Sequence, residues 1–390
     1  MTHVAIYDAV NSIVGGYEPY MANLPAPAPG ASADAAAAAA GHYVLSHLFP
    51  AHQQEFDDAL AASLVAIPNG QSKTDGIAQG VAVGAAMMIE RADDGTQSDP
   101  PYRVQANVPG QWRPTFPDFT ATPFSPGWGN SLPWSMIDPH QFRTDGPLHQ
   151  KTIVGLLHSK GYANQVNEIK AIGSRNSTVR TEEQTEIAFF WANDVNGTYK
   201  PPGHLNYITQ VVSQDHNLTM SQNARLFALI NLAMGDAGVV AWDCKYDTKI
   251  DLWRPITAIR EADTDGNPHT HADPTWEPLN PFSPPFPAYI SGHATFSAAH
   301  AAVMADFFGT DNVTFTIDSE DPFYHLLPEH PLRTFHSFAA AAWENAESRL
   351  YLGVHYRFDA TDGNAAGTAL GHWVSAHMLQ PTGNGLTIGH

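Results

Sequence analysis

The recurrence of apolar residues at intervals of three and four is the feature that most restricts how this chain can fold. The run from Phe56 to Leu64 shows the pattern clearly, and proline or glycine residues such as Pro50 and Pro68 interrupt it. This periodicity predicts amphipathic helices. We expect them over residues 1–13, in three parts over 31–92, and over 181–193, 221–245, 291–308, 335–352 and 356–378. Few segments show the two-residue alternation of a strand, so the predicted class is all-α.

The segment over residues 93–146 differs from the helical regions on both sides. Proline, glycine, tryptophan and phenylalanine replace the periodic pattern there. So many aromatic residues indicate an ordered segment that wraps the protein, because disordered linkers are poor in aromatics. We therefore expect one compact all-α unit over 1–390, built from two packed helical bundles with long ordered loops. It would comprise N-terminal helices over 1–92, the wrapping segment, and a C-terminal bundle over 147–390.

The charge balance excludes several classes of partner. The 390 residues include 19 Lys and Arg against 39 Asp and Glu, a formal net charge of −20. A charge of this sign disfavours nucleic acids and anionic membranes. We find no apolar run of the roughly 18–20 residues that a membrane span needs, and no leader precedes the first helical pattern. The compartment is therefore not determined, and the periplasm and the extracellular space are both candidates.

Cysteine content narrows the chemistry further. Cys244 is the single cysteine, which excludes intramolecular disulfides and thiolate metal clusters. Sequence patterns for serine hydrolases, zinc proteases, dinucleotide binding and phosphate-binding loops are also missing. The sequence therefore gives no support to a serine hydrolase, a zinc protease or a nucleotide-binding protein.

Three separate segments concentrate cationic, hydroxyl and imidazole side chains: the first over 245–255, the second over 287–293 and the third over 348–359. In the second segment, Ser291-Gly292-His293 follows a proline-rich turn and opens a predicted helix. A helix N-terminus presents unpaired backbone N–H groups, and Gly292 leaves room for an oxyanion to approach them. Ser291 can donate through its hydroxyl, and His293 can act as an acid or base. An ordinary helix cap explains the same three residues when they are taken alone.

In the third segment, Asp359 follows His355 by one helical turn. A carboxylate at this spacing can bind one ring nitrogen of the histidine and leave the other as a lone-pair donor, as a metal-ligating histidine requires. Arg349 precedes them with a planar guanidinium suited to tetrahedral oxyanions. A surface His–Asp pair beside a solvated arginine is the simpler explanation of this segment alone.

The first segment carries Lys245, Lys249 and Arg254 in a chain that has few cations. A solvated basic face explains it when it stands alone. Together, however, the three segments supply the cations, the helix N-terminus and the two histidines that can hold a multiply charged tetrahedral oxyanion and perform acid–base chemistry beside it.

The order Lys…Arg-Pro, Ser-Gly-His and Ser-Arg-x5-His-x3-Asp resembles the signature of vanadium-dependent haloperoxidases and of the phosphatases in the same superfamily. Other runs resemble the bacterial haloperoxidase branch over nearly the whole chain: Val4–Asn11, Thr181–Trp191, Pro201–His204, Gly235–Gly238 and Pro285–Tyr289. The resemblance implies a helical-bundle fold like that of vanadium chloroperoxidase and acid phosphatase. It also implies a vanadate cofactor, with hydrogen peroxide, a halide and a small organic acceptor as substrates, phosphate as a competing anion, and a homodimer or larger homo-oligomer.

The resemblance also assigns roles to residues. It implies that Arg254, Arg349 and a lysine neutralise vanadate oxygens, which Ser291 and the Gly292 amide also bind. It makes His355 the axial ligand of vanadium and His293 the acid–base group. Asp359 as the residue that orients His355 is our inference from its spacing.

The lysine departs from the family pattern. The family places it seven residues before the arginine, and that position is Asp247 here. Counting forward from Gly235–Gly238 instead puts the family lysine at Lys245, with two extra residues after it, and Lys249 is the second choice. If neither ammonium reaches the anion, we expect weaker halide oxidation.

Trp242 and Phe286 fall where the family lines its halide pocket.

Two other functions could use the same histidines and cations of the anion site. A phosphatase would use His355 as the nucleophile that forms a phosphohistidine and His293 as the acid for the leaving group. A non-catalytic protein that binds an oxyanion is the third possibility.

Overall fold

The computed structural model describes residues 1–119 and 122–383. These residues form two compact units that are not consecutive in sequence. The first unit comprises Met1–Asp94, Val212–Leu232 and the described residues from Trp373 onward. The second comprises Gly95–Val211 and Ala233–His372, and it contains all three segments that the sequence singles out. The all-α prediction is confirmed, because helices dominate both units.

The first unit is built around four helices: α1 (Thr2–Val14), α2 (Ala33–Leu48), α3 (Gln53–Val65) and α4 (Gln71–Glu90). Helices α2 and α4 approach closely because glycines recur every four residues on α4. A Cβ atom at Gly84 would come within 2.9 Å of the Tyr43 side chain. The alanines of α2 complete this narrow interface, which only small residues permit.

The helices of the second unit follow in chain order: α5 (Ile153–Leu157), α6 (Lys160–Ile172), α7 (Glu182–Phe190), α8 (Lys200–Asp215), α9 (Met220–Tyr246), α10 (Pro255–Arg260), α11 (Gly292–Phe308), α12 (Phe338–Tyr351) and α13 (Arg357–His377). Three of them, α8, α9 and α13, extend into residues of the first unit. Helix α13 packs on α11 through a second series of glycines, and a Cβ at Gly363 would approach the Ser291 carbonyl to 2.9 Å. This close packing fixes the N-terminus of α11.

The structure adds elements that the periodicity did not predict. A two-stranded antiparallel sheet pairs β1 (Phe315–Ile317) with β2 (Arg333–Phe335), so Phe335 lies in a strand and not in the helix expected over 335–352. That expectation was wrong at its start because Ser337 caps the helix and its side chain accepts from the Ala340 N–H. The described part of the aromatic segment has no α-helix, and its Trp112 is fully buried.

Helix α9 contains the most apolar long stretch of the described chain. By length and composition it could cross a membrane, but 78% of that stretch is buried inside the structure. It therefore resembles the core helix of a bundle, which passes the same test.

Candidate active site

The N-terminus of α11 begins with Ser291, whose side chain accepts a hydrogen bond from the Ala294 N–H. The backbone N–H of Ser291 donates to the carbonyl oxygen of Asp359 at 3.0 Å, which ties the start of α11 to α13. Gly292 is the first helical residue. A Cβ there would lie 3.6 Å from the Phe296 ring and 3.7 Å from the Trp242 ring, inside a cavity that both rings line. The missing side chain leaves this space open beside the helix N-terminus.

Two fully buried arginines lie at this site, and Arg349 is the one of them that lines the cavity. Arg349 reaches it from the last turn of α12 and has an exposed side-chain fraction of 1%. Its Nη2 donates to the Asp194 carboxylate at 2.8 Å. Arg254 precedes α10 and donates to the carbonyl oxygens of Phe286 and Val354 at 2.8 and 2.9 Å.

These guanidinium groups keep donors that the protein does not use. Nη2 of Arg254 and both Nε and Nη1 of Arg349 are buried and have no hydrogen-bond partner among the described residues. A buried donor without a partner costs free energy, and the cost is higher for a charged group. Desolvation by burial lowers the pKa of Arg254 to about 9. The arrangement therefore has the chemistry of a site for an oxyanion, which would accept from all three groups.

His355 lies between these arginines and the start of α13. Its Nδ1 donates to Oδ2 of Asp359 at 2.8 Å, and its Nε2 lies 3.1 Å from Nη1 of Arg254. These partners assign the proton to Nδ1 and leave a lone pair on Nε2. Burial and the charge of Arg254 lower the pKa of His355 well below its usual value, so the ring is neutral.

Two hydrogen bonds to Oδ2 fix the Asp359 carboxylate beside the ring of His355. The same Oδ2 that binds the histidine also accepts from the backbone N–H of Tyr356 at 3.0 Å. Burial raises the pKa of Asp359, although this N–H bond and the nearby Lys245 act against it.

His293 is also buried, and its orientation is fixed. Its Nε2 donates to the carbonyl of Ala192 at 3.0 Å, which leaves Nδ1 as the acceptor nitrogen. Burial and the charge of Arg349 lower the pKa of His293 to about 4, so this ring is neutral at pH 7. It lines the cavity together with His355 and Arg349.

Asp194 is a site residue that sequence reasoning missed. Burial acts to raise its pKa, but the Arg349 guanidinium, His293 and Lys200 together outweigh that effect and hold the pKa below the usual range. No local pattern could have revealed it, because it precedes Arg349 by 155 residues and only the fold brings them together.

Neither lysine has the position that a direct anion ligand needs. Lys245 is fully buried, and its ammonium donates to the carbonyls of Pro287 and Ala288 at 3.0 and 3.1 Å and also to that of Ile290. An ammonium has three N–H donors, and these carbonyls take all three. Lys249 is exposed and does not line the cavity.

The cavity has a volume of about 440 Å³. Gly292, His293, Arg349 and His355 belong to its lining, together with aromatic rings, prolines and the polar side chains of Asp194, Asn196 and Lys200. Trp242 and Phe286 both belong to this lining, with ring centroids 5.1 Å apart. The Arg254 guanidinium lies 4.6 Å from the Phe286 ring, within the range of a cation–π contact. The structure thus brings together every predicted site residue except Lys249.

The fold and the site define a helical-bundle protein with a buried, cationic cavity that is able to hold a tetrahedral oxyanion. Comparison with known proteins agrees with this class. Residues 225–384 match the family model of the second helical-bundle domain of vanadium chloroperoxidase. A segment of 234 residues, 47% of this chain, is 33% identical to the vanadium chloroperoxidase of Curvularia inaequalis, and the match spans 37% of that relative's length.

Solved structures extend the similarity to nearly the whole chain. A bacterial vanadium-dependent iodoperoxidase superposes with a TM-score of 0.81 at 26% identity, and the match covers 98% of this chain and 90% of the other. An apo-type bacterial vanadium-dependent chloroperoxidase shares the fold with a TM-score of 0.72 at 17% identity, over 96% of this chain and 91% of the other. The chain is thus similar to vanadium-dependent haloperoxidases over nearly its whole length.

Proposed function

We propose that the protein is a vanadate-dependent haloperoxidase. It would oxidise a halide with hydrogen peroxide and one proton, giving hypohalous acid and water. The observation that carries the proposal is the set of three buried guanidinium nitrogens, at Arg254 and Arg349, that have no hydrogen-bond partner within residues 1–119 and 122–383. They lie beside the neutral His355, whose Nε2 keeps a lone pair, and the chain is similar to a bacterial vanadium-dependent iodoperoxidase over nearly its whole length.

The residues fit vanadate by number and by kind. Its negatively charged oxygens would satisfy the unpartnered donors of Arg254 and Arg349. The Ser291 hydroxyl and the Gly292 N–H would add donors at the N-terminus of α11. His355 would supply Nε2 as the ligand to the metal, since its Nδ1 proton is held by Asp359.

Bound vanadate would act as a Lewis acid that withdraws charge from peroxide and makes its oxygen electrophilic. The protein would increase this effect with fixed positive charge, because both arginines are already buried and need no reorganisation during the reaction.

His293 would act as the base that accepts a proton from hydrogen peroxide. Its free Nδ1 can take a proton from hydrogen peroxide as peroxide binds, while Nε2 stays bonded to the Ala192 carbonyl. Asp194 would hold Arg349 at the correct angle through its ion pair. Lys245 would contribute charge through space and support the loop at Pro287–Ile290 with its three bonds.

A phosphatase is the second candidate, because phosphate matches vanadate in shape and charge and a lone pair on Nε2 of His355 could attack phosphorus. Paired assays separate the two functions. We expect purified protein loaded with orthovanadate to oxidise iodide with hydrogen peroxide, and protein without vanadate to release little nitrophenol from its phosphate ester. Ester hydrolysis without peroxide-dependent turnover for iodide, bromide or chloride would contradict the proposal. Binding of phosphate without either activity would indicate a non-catalytic protein.

A homo-oligomeric state and a periplasmic or extracellular location complete the proposal as predictions. Gel filtration with light scattering tests the first, and cell fractionation tests the second.

A further inference from the structure

The turn between α7 and α8 holds two groups of the site at once. Within it, the Ala192 carbonyl accepts from Nε2 of His293 at 3.0 Å, and the Asp194 carboxylate accepts from Nη2 of Arg349 at 2.8 Å. Only Asn193 separates these two residues of the turn. A shift of the turn would therefore move the partner of His293 and the partner of Arg349 together.

Asn193 has a backbone conformation that needs support. Its φ is 43°, in the left-handed region that few side chains adopt, although asparagine does so more readily than most. Its backbone N–H donates to Oδ2 of Asp321 at 2.9 Å, and Oδ1 of that carboxylate accepts from the Phe323 N–H at 2.9 Å. Asn193 and Asp321 are both fully buried. Asp321 therefore anchors the backbone of the turn to the segment that follows β1.

His204, on α8, anchors the side chain of the same asparagine. Its Nε2 donates to the Asp318 carbonyl at 3.0 Å, so Nδ1 is the acceptor and receives a hydrogen bond from Nδ2 of Asn193 at 3.0 Å. The same Nδ2 donates to the Phe190 carbonyl at 3.3 Å, which fixes the orientation of the amide. Burial lowers the pKa of His204 to about 3, so the ring is neutral at pH 7 and keeps both bonds.

The surroundings of His204 separate it from the cavity. Three aromatic rings have centroids 5.0–5.3 Å from its own, and they belong to Phe190, Trp191 and Tyr199. Among the described residues, neither His204 nor any of these three lines the cavity. A role in packing alone would depend on the size of the ring, whereas a role in holding Asn193 depends on the acceptor at Nδ1. Substitution can separate the two roles.

We propose that His204 is a positioning residue, which fixes the places of His293 and Arg349 by holding Asn193 with its Nδ1. The effect on turnover rests on the proposed function, whereas the effect on anion binding does not. The neutral ring brings neither charge nor a proton to the reaction. Without its acceptor, Asn193 would keep a buried N–H donor unpaired, and the turn would shift to reduce that cost.

Two substitutions separate the two nitrogens of His204. In His204→Asn the side-chain oxygen can reach the position of Nδ1 and accept from Asn193, while the bond to Asp318 is lost. In His204→Gln the amide nitrogen can reach the position of Nε2 and donate to Asp318, while the acceptor for Asn193 is lost. Equilibrium dialysis measures orthovanadate binding without peroxide. We expect about three- to tenfold weaker binding in His204→Gln, and binding within about twofold of the wild type in His204→Asn.

A double-mutant cycle tests whether the effect passes through Asn193. The substitution Asn193→Gly keeps the left-handed conformation accessible and removes the amide. We expect it to weaken orthovanadate binding by about three- to tenfold as well, and we expect the double variant with His204→Gln to lose no more than either single variant. Losses that multiply in the double variant would overturn the inference.

His300→Gln is the control, because His300 is a buried histidine of α11 whose Nε2 lies 2.9 Å from Oγ1 of Thr209. It should lower the urea midpoint of unfolding, as His204→Gln does, and leave orthovanadate binding unchanged. Wild-type affinity in His204→Gln, or equal losses in His204→Gln and His204→Asn, would overturn the inference. If His204→Gln does not fold, unchanged affinity in Asn193→Gly overturns it.

Turnover separates this inference from the proposed function. We expect His204→Gln to lower kcat/KM for peroxide in iodide oxidation by about tenfold per bound vanadate, because the base and Arg349 are both displaced. His204→Asn should restore most of this loss, which a role in packing alone would not allow. If the wild type binds orthovanadate but oxidises no halide, the proposed function fails, and the order of affinities among the variants still decides the role of His204. A wild type that binds no orthovanadate would contradict both.

Discussion

Two regions of the second unit bury arginines in opposite ways. Arg333 on β2 has carboxylate partners on both sides: Nη1 donates to Glu186 at 2.7 Å, and Nε and Nη2 donate to Glu344 at 2.9 and 2.7 Å. Arg254 and Arg349 are more deeply buried, yet three of their nitrogens have no partner among the described residues. The Arg333 cluster links β2 to α7 and α12, so it serves the fold. Arg254 and Arg349 instead carry a cost in free energy that a bound anion would remove.

The comparison teaches that burial alone does not identify a functional cation. The informative quantity is the number of buried donors that the protein leaves unused. Substitution of Arg254 should therefore weaken anion binding, whereas substitution of Arg333 should lower the stability of the fold and leave anion binding unchanged.

The largest effect is expected at the nitrogen that would hold the metal. We expect His355→Ala to lower the rate of peroxide-dependent iodide oxidation by about a thousandfold or more, since loss of a bound Lewis acid removes several kcal/mol of transition-state stabilisation. Steady-state kinetics measure the rate, and dialysis against vanadate measures binding. His372→Ala, at an exposed histidine, is the control. Retention of more than a tenth of the activity would rule out His355 as the ligand.

The two arginine regions can be set directly against each other. We expect Arg254→Met to weaken vanadate binding by about 30-fold or more, because truncating a buried charged partner costs about 2–5 kcal/mol. We expect Arg333→Met to leave this affinity unchanged and to lower the free energy of unfolding by about 2–3 kcal/mol, since Glu186 and Glu344 lose their partner. Isothermal titration calorimetry and urea denaturation measure the two quantities. If the same variant showed the larger loss both of vanadate affinity and of unfolding free energy, the proposed difference between the two arginine regions would be contradicted.

Lys245 gives a further test of this comparison. It lies next to the site, but all three of its N–H donors already bind backbone carbonyls. We expect Lys245→Met to weaken vanadate binding less than Arg254→Met does, by about tenfold or less. It should also lower the free energy of unfolding by about 1–3 kcal/mol, because buried carbonyls of the Pro287–Ile290 loop lose their donor. A loss of affinity as large as that of Arg254→Met, without a loss of stability, would instead make Lys245 a direct ligand of the anion.

The smallest effect concerns pH. His293 acts as a base only in its neutral form, and burial lowers its pKa to about 4. The neutral form therefore persists as the pH falls through 6.5, the ordinary pKa of histidine, and is lost only near pH 4. We expect kcat/KM for peroxide to fall by about a tenth at pH 5 and by about half at pH 4. The slower variant His293→Gln should lack this acid limb. A limb centred near pH 6.5 in the wild type would contradict the assignment.

The sequence allowed much of the site to be predicted where the spacing was local. Asp359 follows His355 by four residues, and one helical turn places their side chains 2.8 Å apart. Ser291 was predicted to cap a helix, and it does so. Local spacing could not predict that Asp194 would pair with Arg349, because this contact depends on how the loop between α7 and α8 packs against α12.

The role of Lys245 was harder to anticipate for a related reason. Its position relative to Gly235–Gly238 was clear from the sequence. Its partners, however, are backbone carbonyls in a loop more than 40 residues away. Every residue has a backbone carbonyl, so the sequence cannot show which of them will accept from the lysine. The short sheet was missed because each strand has only three residues, too few to show a two-residue alternation.

A crystal structure of the protein grown with orthovanadate, with anomalous data collected at the vanadium edge, tests the central claim most directly. We predict one strong anomalous peak next to Nε2 of His355, with oxygen density within hydrogen-bonding distance of Nη2 of Arg254 and of Nε and Nη1 of Arg349. A vanadium peak elsewhere in the protein, or one at this cavity that leaves those three nitrogens without a bonded oxygen, would contradict the account.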